Sequence, residues 1–112
     1  MRYGLLLDTE YCTGCKSCEL ACRNEKGLPL GQWGIKVCEV GPFAVDEEAD
    51  DFVWNYQPLV TKLCNLCAGR VAQGEQPACV HHCLAAALQY GTLTELTAKM
   101  DAKGKQMCLM IP

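Results

Sequence analysis

The chain has 112 residues, a formal net charge of −3 and a pI near 5.3, which leaves no basic surface for nucleic acid or an anionic membrane. One domain is expected at this length, yet ten cysteines count toward the 50% of residues that are apolar, so the supply of ordinary core side chains is thin. Hydrophobic burial needs help from metal, disulfides or a partner protein.

In chain order, Met1-Arg2-Tyr3 leads into only Gly4-Leu5-Leu6-Leu7 before Asp8 interrupts, too short for the apolar region of a signal peptide. No stretch nears the ~18 apolar residues of a transmembrane helix, so no direct membrane span is expected. The expected location is the cytoplasm, where thiols stay reduced and clustered cysteines bind metal more often than they pair. Export of the folded chain with a signal-bearing partner is the alternative.

Tyr3 to Asp8 reads as a short apolar strand. Lys16 to Lys26 lacks Gly and Pro and is predicted helical, with Gly27 as its stop and Pro29 just beyond. Ile35 to Val40 alternates and suits a strand, and the acidic run Asp46 to Asp51 reads as a solvated loop. Phe52 to Leu63 regains strand character, interrupted at Pro58, and feeds Cys64. Ala85 to Tyr90 is the expected returning strand, followed by a helix over Thr92 to Met100 capped by Thr92 or Thr94. The apolar tail Met107 to Pro112 should pack on the core or on a partner.

The cysteines carry most of the information. The first block is Cys12-x2-Cys15-x2-Cys18-x3-Cys22, and the second is Cys64-x2-Cys67-x11-Cys79-x3-Cys83. Three cysteines at two-residue intervals let one loop wrap three corners of a cubane, and Gly14 supplies a residue that tolerates positive φ. The x3 step puts the fourth cysteine one helical turn on, pointing away, and in bacterial ferredoxin runs that cysteine ligates the other cluster. Crosswise pairing gives two [4Fe–4S] sets with no thiolate left over. Cys12, Cys15, Cys18 and Cys83 form one; Cys22, Cys64, Cys67 and Cys79 form the other.

Other readings of the cysteines are structural zinc, a disulfide framework, or one cluster with a structural second block. Cys38 and Cys108 lack ligand-spaced neighbours and read as buried small hydrophobes. His81 and His82 read as solvated, or as donors toward a cluster rather than ligands, and Trp33, Trp54 and Tyr56 as core or interface packing. No Gly-rich nucleotide loop, nucleophile–base arrangement or paired carboxylates stand out, so the chain is not expected to be an enzyme in its own right.

The segments Tyr3-Gly4-Leu5-Leu6-Leu7-Asp8 and Cys12-Thr13-Gly14-Cys15-Lys16-Ser17-Cys18-Glu19-Leu20-Ala21-Cys22 resemble the start of iron–sulfur subunits of the dimethyl sulfoxide reductase type. Cys64-Asn65-Leu66-Cys67-Ala68-Gly69-Arg70, Pro77-Ala78-Cys79-Val80 and Cys83 resemble the last block of the same family. The likeness covers roughly residues 3–40 and 58–100. Members resemble four-cluster polyferredoxins in which first and last blocks share one cluster pair, so this chain looks like one with the middle pair left out. One position departs: the family usually has Pro after the last cysteine, and Leu84 stands there. That leaves the surroundings of Cys83 the less defined of the two sites.

The resemblance implies an electron-transfer subunit of anaerobic metabolism serving a molybdopterin or tungstopterin catalytic subunit. A free diffusible ferredoxin or the electron-transfer subunit of a flavoenzyme are the rivals. The expected fold is an α+β two-[4Fe–4S] ferredoxin-like domain over residues 1–112, with pseudo-twofold βαββαβ organisation and an insertion around residues 41–57. Its cluster-binding core spans about 3–91, with a C-terminal helix and tail at 92–112.

Overall fold

Three successive leucines, Leu5-Leu6-Leu7, are too uniformly apolar for a strand with one wet face. The computed structural model, which describes residues 2–47 and 51–112, buries all three. The elements run β1 (Tyr3–Asp8), α1 (Ser17–Lys26), β2 (Ile35–Ala44), β3 (Phe52–Val60), α2 (Ala68–Ala72), α3 (Ala78–His81), β4 (Leu88–Thr92), α4 (Leu93–Lys103) and β5 (Met107–Met110). This is an α+β fold, as expected. β1 lies between β4 and β5 in an antiparallel sheet, and β2 and β3 form a separate antiparallel pair.

α1 follows Lys16 in the left-handed region and stops at Gly27, φ 63°, whose N–H returns to the Arg23 carbonyl. Its inner face buries Ala21 and carries Cys18 and Cys22 into a core shared with Leu5, Leu7, Ile35, Cys79, Leu88 and Met110. Glu19 on the same face accepts the Val37 N–H at 3.3 Å, tying α1 to β2.

The insertion expected at 41–57 proves to be largely an extension of the β2–β3 hairpin. Val40 pairs with Asn55, Phe43 with Val53 and Ala44 with Phe52, across a bulge at Gly41 and Pro42. Those two residues break the sequence alternation, but a bulge absorbs the extra residue and pairing resumes. Pro58 does not interrupt β3; it is buried opposite Val37. Of the acidic run read as a loop, residues 48–50 lie outside the described residues.

β4 starts at Leu88 and not at Ala85, because residues 83–87 are spent on a turn. Ala86 sits at φ 55° and its N–H donates to the Cys83 carbonyl at 3.1 Å, so the turn closes without the family's proline. α4 has Thr92 as N-cap, accepting from the Glu95 N–H at 3.2 Å, and runs to Lys103, past the expected end at Met100. The apolar tail packs on the core as β5, with Met110 opposite Leu5 and Cys108 opposite Leu7. Lys103 seals this end, reaching Asp8 at 2.9 Å and Glu10 at 2.7 Å. Among the described residues no helix is long and apolar enough to cross a membrane.

Leu96 is the fully buried contact of α4. Leu96→Ala is expected to cost about 2–5 kcal/mol, read as a lower urea midpoint with unchanged slope.

Candidate metal centre

Each cysteine block opens into a helix through a loop held in left-handed conformations. In the first, Tyr11 and Cys12 N–H groups donate to the Asp8 carbonyl at 3.1 and 3.3 Å, and Gly14 and Lys16 follow at φ 71° and 64°. In the second, Leu66 and Cys67 stand at φ 59° and 52°. Such left-handed turns point successive N–H groups inward and make anion-binding concavities, the kind of backbone found at many iron–sulfur sites. Among the described residues, every non-glycine residue with positive φ (Lys16, Leu66, Cys67 and Ala86) lies within a block or just after it. That conformation disfavours a Cβ, so the strain is concentrated at these loops.

Cys12, Cys15, Cys18 and Cys83 line one cavity whose walls are Leu7, Val37, Pro58, Ala87 and Leu88. Burial pushes the Cys12 thiol up, with the thiols of Cys83 and Cys15 adding to it against a Gly14 N–H. Burial pushes Cys18 up to about 12, reinforced by Cys12, Glu19 and Cys83. The other four thiols are likewise neighbours. Cys22 is raised by burial and then by Cys67 and Cys64; Cys79 is raised by burial and then by Cys67, Cys18, Cys64 and Cys22. Cys18 and Cys79, on the packed helices α1 and α3, are where the two groups approach each other. The first cavity thus brings together three thiols of the first block and one of the second.

Backbone donors accompany the thiols. The Ala78 N–H points at Cys67 Sγ (3.5 Å) and the Ala87 N–H at Cys83 Sγ (3.3 Å). N–H groups of Gly14, Glu19, Ile35 and Leu66 face Cys12, Cys18, Cys22 and Cys64. Among the described residues, no three His, Cys, Asp or Glu side chains converge tightly enough to hold a single metal ion.

The remaining candidates fall outside both groups. His81 and His82 are exposed and meet edge to face at 4.8 Å. Cys38 and Cys108 are half-buried on β2 and β5, less enclosed than expected, because each lies on a strand at the margin of its sheet. Trp33 is held between Arg23 (4.3 Å) and Lys36 (3.9 Å), whereas Trp54 is 57% exposed and no part of the core. Two supports had no sequence signal. The Tyr56 ring lies so close to Gly14 that a Cβ there would meet it at 2.5 Å, and a Cβ on buried Gly34 would overlap Cys22 Sγ.

Cys15 differs from the other thiols. It is exposed, and hydrogen bonding with Ser17 holds its pKa below the ordinary thiol value. The thiolate is the nucleophile, so in cluster-free protein at pH 7.5 Cys15 should alkylate at least tenfold faster than Cys18 or Cys79, by mass spectrometry of iodoacetamide-treated samples. Raising the pH toward 9 should narrow that ratio, as Cys15 saturates first.

No protein-family model matches the chain. A protein of Halobacterium salinarum named as a dimethyl sulfoxide reductase iron–sulfur subunit is 35% identical over 71 residues, covering 55% of this chain and 27% of that protein. The chain thus aligns with only about a quarter of that relative's length. The anaerobic dimethyl sulfoxide reductase chain YnfG of Escherichia coli is 28% identical over 160 residues, covering 88% of this chain and 77% of the relative. A polysulfide reductase chain of Wolinella succinogenes is 23% identical over 155 residues, covering 89% and 81%. The last two alignments are longer than the 112-residue chain itself, so each relative carries an inner stretch with no counterpart here. The chain is a relative of the iron–sulfur subunits of the dimethyl sulfoxide reductase type.

Proposed function

We propose that this chain relays single electrons through two [4Fe–4S] clusters to or from a molybdopterin or tungstopterin oxidoreductase subunit. Cys12, Cys15, Cys18 and Cys83 would hold one cluster, and Cys22, Cys64, Cys67 and Cys79 the other. The observation that supports this reading is that Cys12, Cys15 and Cys18 of the first block and Cys83 of the second line one cavity, while Cys22 of the first block lies near Cys64 and Cys67 of the second.

The surroundings fit such a group. Four thiolates would complete the ligation of a cubane, backbone N–H groups would offset its negative charge, and the apolar wall of Leu7, Val37, Pro58 and Leu88 shields the inner side of the first site. Bound there, each cluster supplies one-electron redox chemistry. Helix α1, which carries Cys18, packs on α3, which carries Cys79, so the two sites would be neighbours and could act in series.

The fold belongs to the same reading. β1–α1–β2 and β3–α2–α3–β4 are taken as the two halves of a pseudo-twofold, ferredoxin-like βαββαβ domain. Residues 3–91 form its cluster-binding core, and residues 92–112 add α4 and β5 to one sheet. The inner stretch present in the longer relatives is read as their second cluster pair. Catalysis then lies in the partner, consistent with relatives named as single chains of larger reductases. The location proposed is the cytoplasm.

Metal analysis of the native complex tests the partner. Molybdenum or tungsten in fixed ratio to this chain is expected. Flavin without either metal would favour the flavoenzyme reading, and isolation of the chain alone would favour a diffusible ferredoxin.

A further inference from the structure

The row of side chains on one face of β3 does not end where the core ends. Alternation places Phe52, Trp54, Tyr56, Pro58 and Val60 on the same face, since the bulge at residues 40–43 lies on β2 and leaves β3 regular. Pro58 is buried, Val60 packs against the core and Tyr56 lies on Gly14 of the first cysteine loop. The next two positions overhang it, with Phe52 68% and Trp54 57% exposed. Phe43, on the opposite face, is 52% exposed. Phe52 and Trp54 are thus neighbouring exposed aromatics on one strand face of this hairpin arm, a contiguous patch and not scattered single positions. The molecule is correspondingly long, 52 Å against 23 Å in its thinnest direction.

Two further observations say what the arm is for. It springs from the point where Tyr56 covers Gly14, so a body seated beneath Trp54 would abut Thr13 and Cys15, both exposed, at the open edge of the first thiol group. The distal end carries the acidic side chains of Glu47 and Asp51, both exposed. A protein of net charge −3 gains nothing by presenting that end to a second copy of itself, whereas a partner with basic side chains around an apolar pocket complements it. Aromatic side chains on such a projection are the residue types that act as interface anchors.

We propose that the distal β2–β3 hairpin is the docking arm for the larger redox subunit, with Trp54 and Phe52 seated in an apolar, basic-rimmed pocket. Seated there, the subunit lies beside the site of Cys12, Cys15, Cys18 and Cys83. This rests on the electron-relay reading above and adds which surface and which of the two sites meets the partner.

The test uses the protein tagged and purified without oxygen from its own cells, as wild type and as the Phe52→Asp/Trp54→Asp variant. Wild type should carry the catalytic subunit, identified by molybdenum or tungsten at constant ratio. The variant should keep about eight iron atoms per chain and lose the catalytic subunit, with affinity reduced roughly 30-fold or more. Leu84→Asp, at an 82% exposed position in the turn after Cys83, should retain it. Should the variant lose its iron, hydroxyl-radical oxidation of the wild-type protein replaces it. Trp54 should be protected at least tenfold in the complex relative to the free chain, while Trp33 stays unchanged. Full retention of the subunit by the variant, or equal oxidation of Trp54 in both states, overturns the proposal. So does a wild-type dimer of this chain that the variant converts to monomer, or the absence of any stoichiometric partner. A flavin subunit lost in the variant would refute the pterin assignment while leaving the docking arm standing.

Discussion

Cys22→Ala is expected to remove the cluster assigned to Cys64, Cys67 and Cys79, and to leave the one assigned to its own block. Cys22 lies one helical turn beyond Cys18, yet the thiols raising its pKa after burial are those of Cys67 and Cys64. Cys83 is the mirror case. It follows Cys79 by one turn but lines the cavity of Cys12, Cys15 and Cys18. Each alanine variant should fall from about eight to about four iron atoms per chain. The residual EPR signal of Cys22→Ala should match that of Cys64→Ala, and that of Cys83→Ala should match Cys12→Ala. If Cys22→Ala instead matched Cys12→Ala, each block would hold its own cluster and the crosswise assignment would fail.

Two glycines provide independent access to the same two sites. Gly14→Ala places a Cβ at φ 71° and drives it into the Tyr56 ring, combining a left-handed penalty of roughly 1–2 kcal/mol with overpacking of roughly 1–3 kcal/mol. Gly34→Ala has a different cause, because its Cβ would overlap Cys22 Sγ itself. The backbone there cannot easily retreat: the Gly34 carbonyl accepts the Thr61 N–H at 2.9 Å, and the Thr61 carbonyl in turn accepts the Cys64 N–H at 3.0 Å. Gly34→Ala should therefore reproduce the iron content and spectrum of Cys22→Ala, and Gly14→Ala those of Cys12→Ala. Adding Tyr56→Ala to Gly14→Ala should restore part of the lost iron, since it removes the overlap and leaves the backbone cost. Loss of both clusters in Gly34→Ala would mean that this glycine supports the whole fold.

How much of this could be read from residue order depends on whether the determining contacts are local. β1 and α1 were legible because Leu5-Leu6-Leu7, the Gly-free stretch before Lys26 and the Gly27 stop act within a few residues. Thr92 was legible as a cap for the same reason. The cavity shared by Cys83 with Cys12, Cys15 and Cys18 agrees with the spacing, in which the cysteine one turn after a metal loop points away from that loop; the full crosswise sets remain the proposal.

The hairpin extension was not legible. Gly41-Pro42 and the acidic run erase the alternation, and only pairing with residues 52–55 restores a strand at Phe43 and Ala44. Ala85 to Ala87 have the composition of a strand start, yet hydrogen bonds to the Cys83 carbonyl and sulfur bend them into a turn. The apolarity of the tail predicts that it packs, but its choice of the free edge of β1 is a long-range outcome that no local signal encodes. For Trp54 the choice between core and interface was open for a related reason. It continues the core-facing row of β3, and only the length of the arm shows that the core stops at Tyr56.

The most direct test of the two-cluster account is iron and acid-labile sulfide per chain, measured together with EPR of the fully reduced protein. The account predicts about eight iron and eight sulfide per chain, with a spectrum broadened by interaction between two nearby reduced clusters. About four iron with a single isolated signal, or zinc in place of iron, would contradict it.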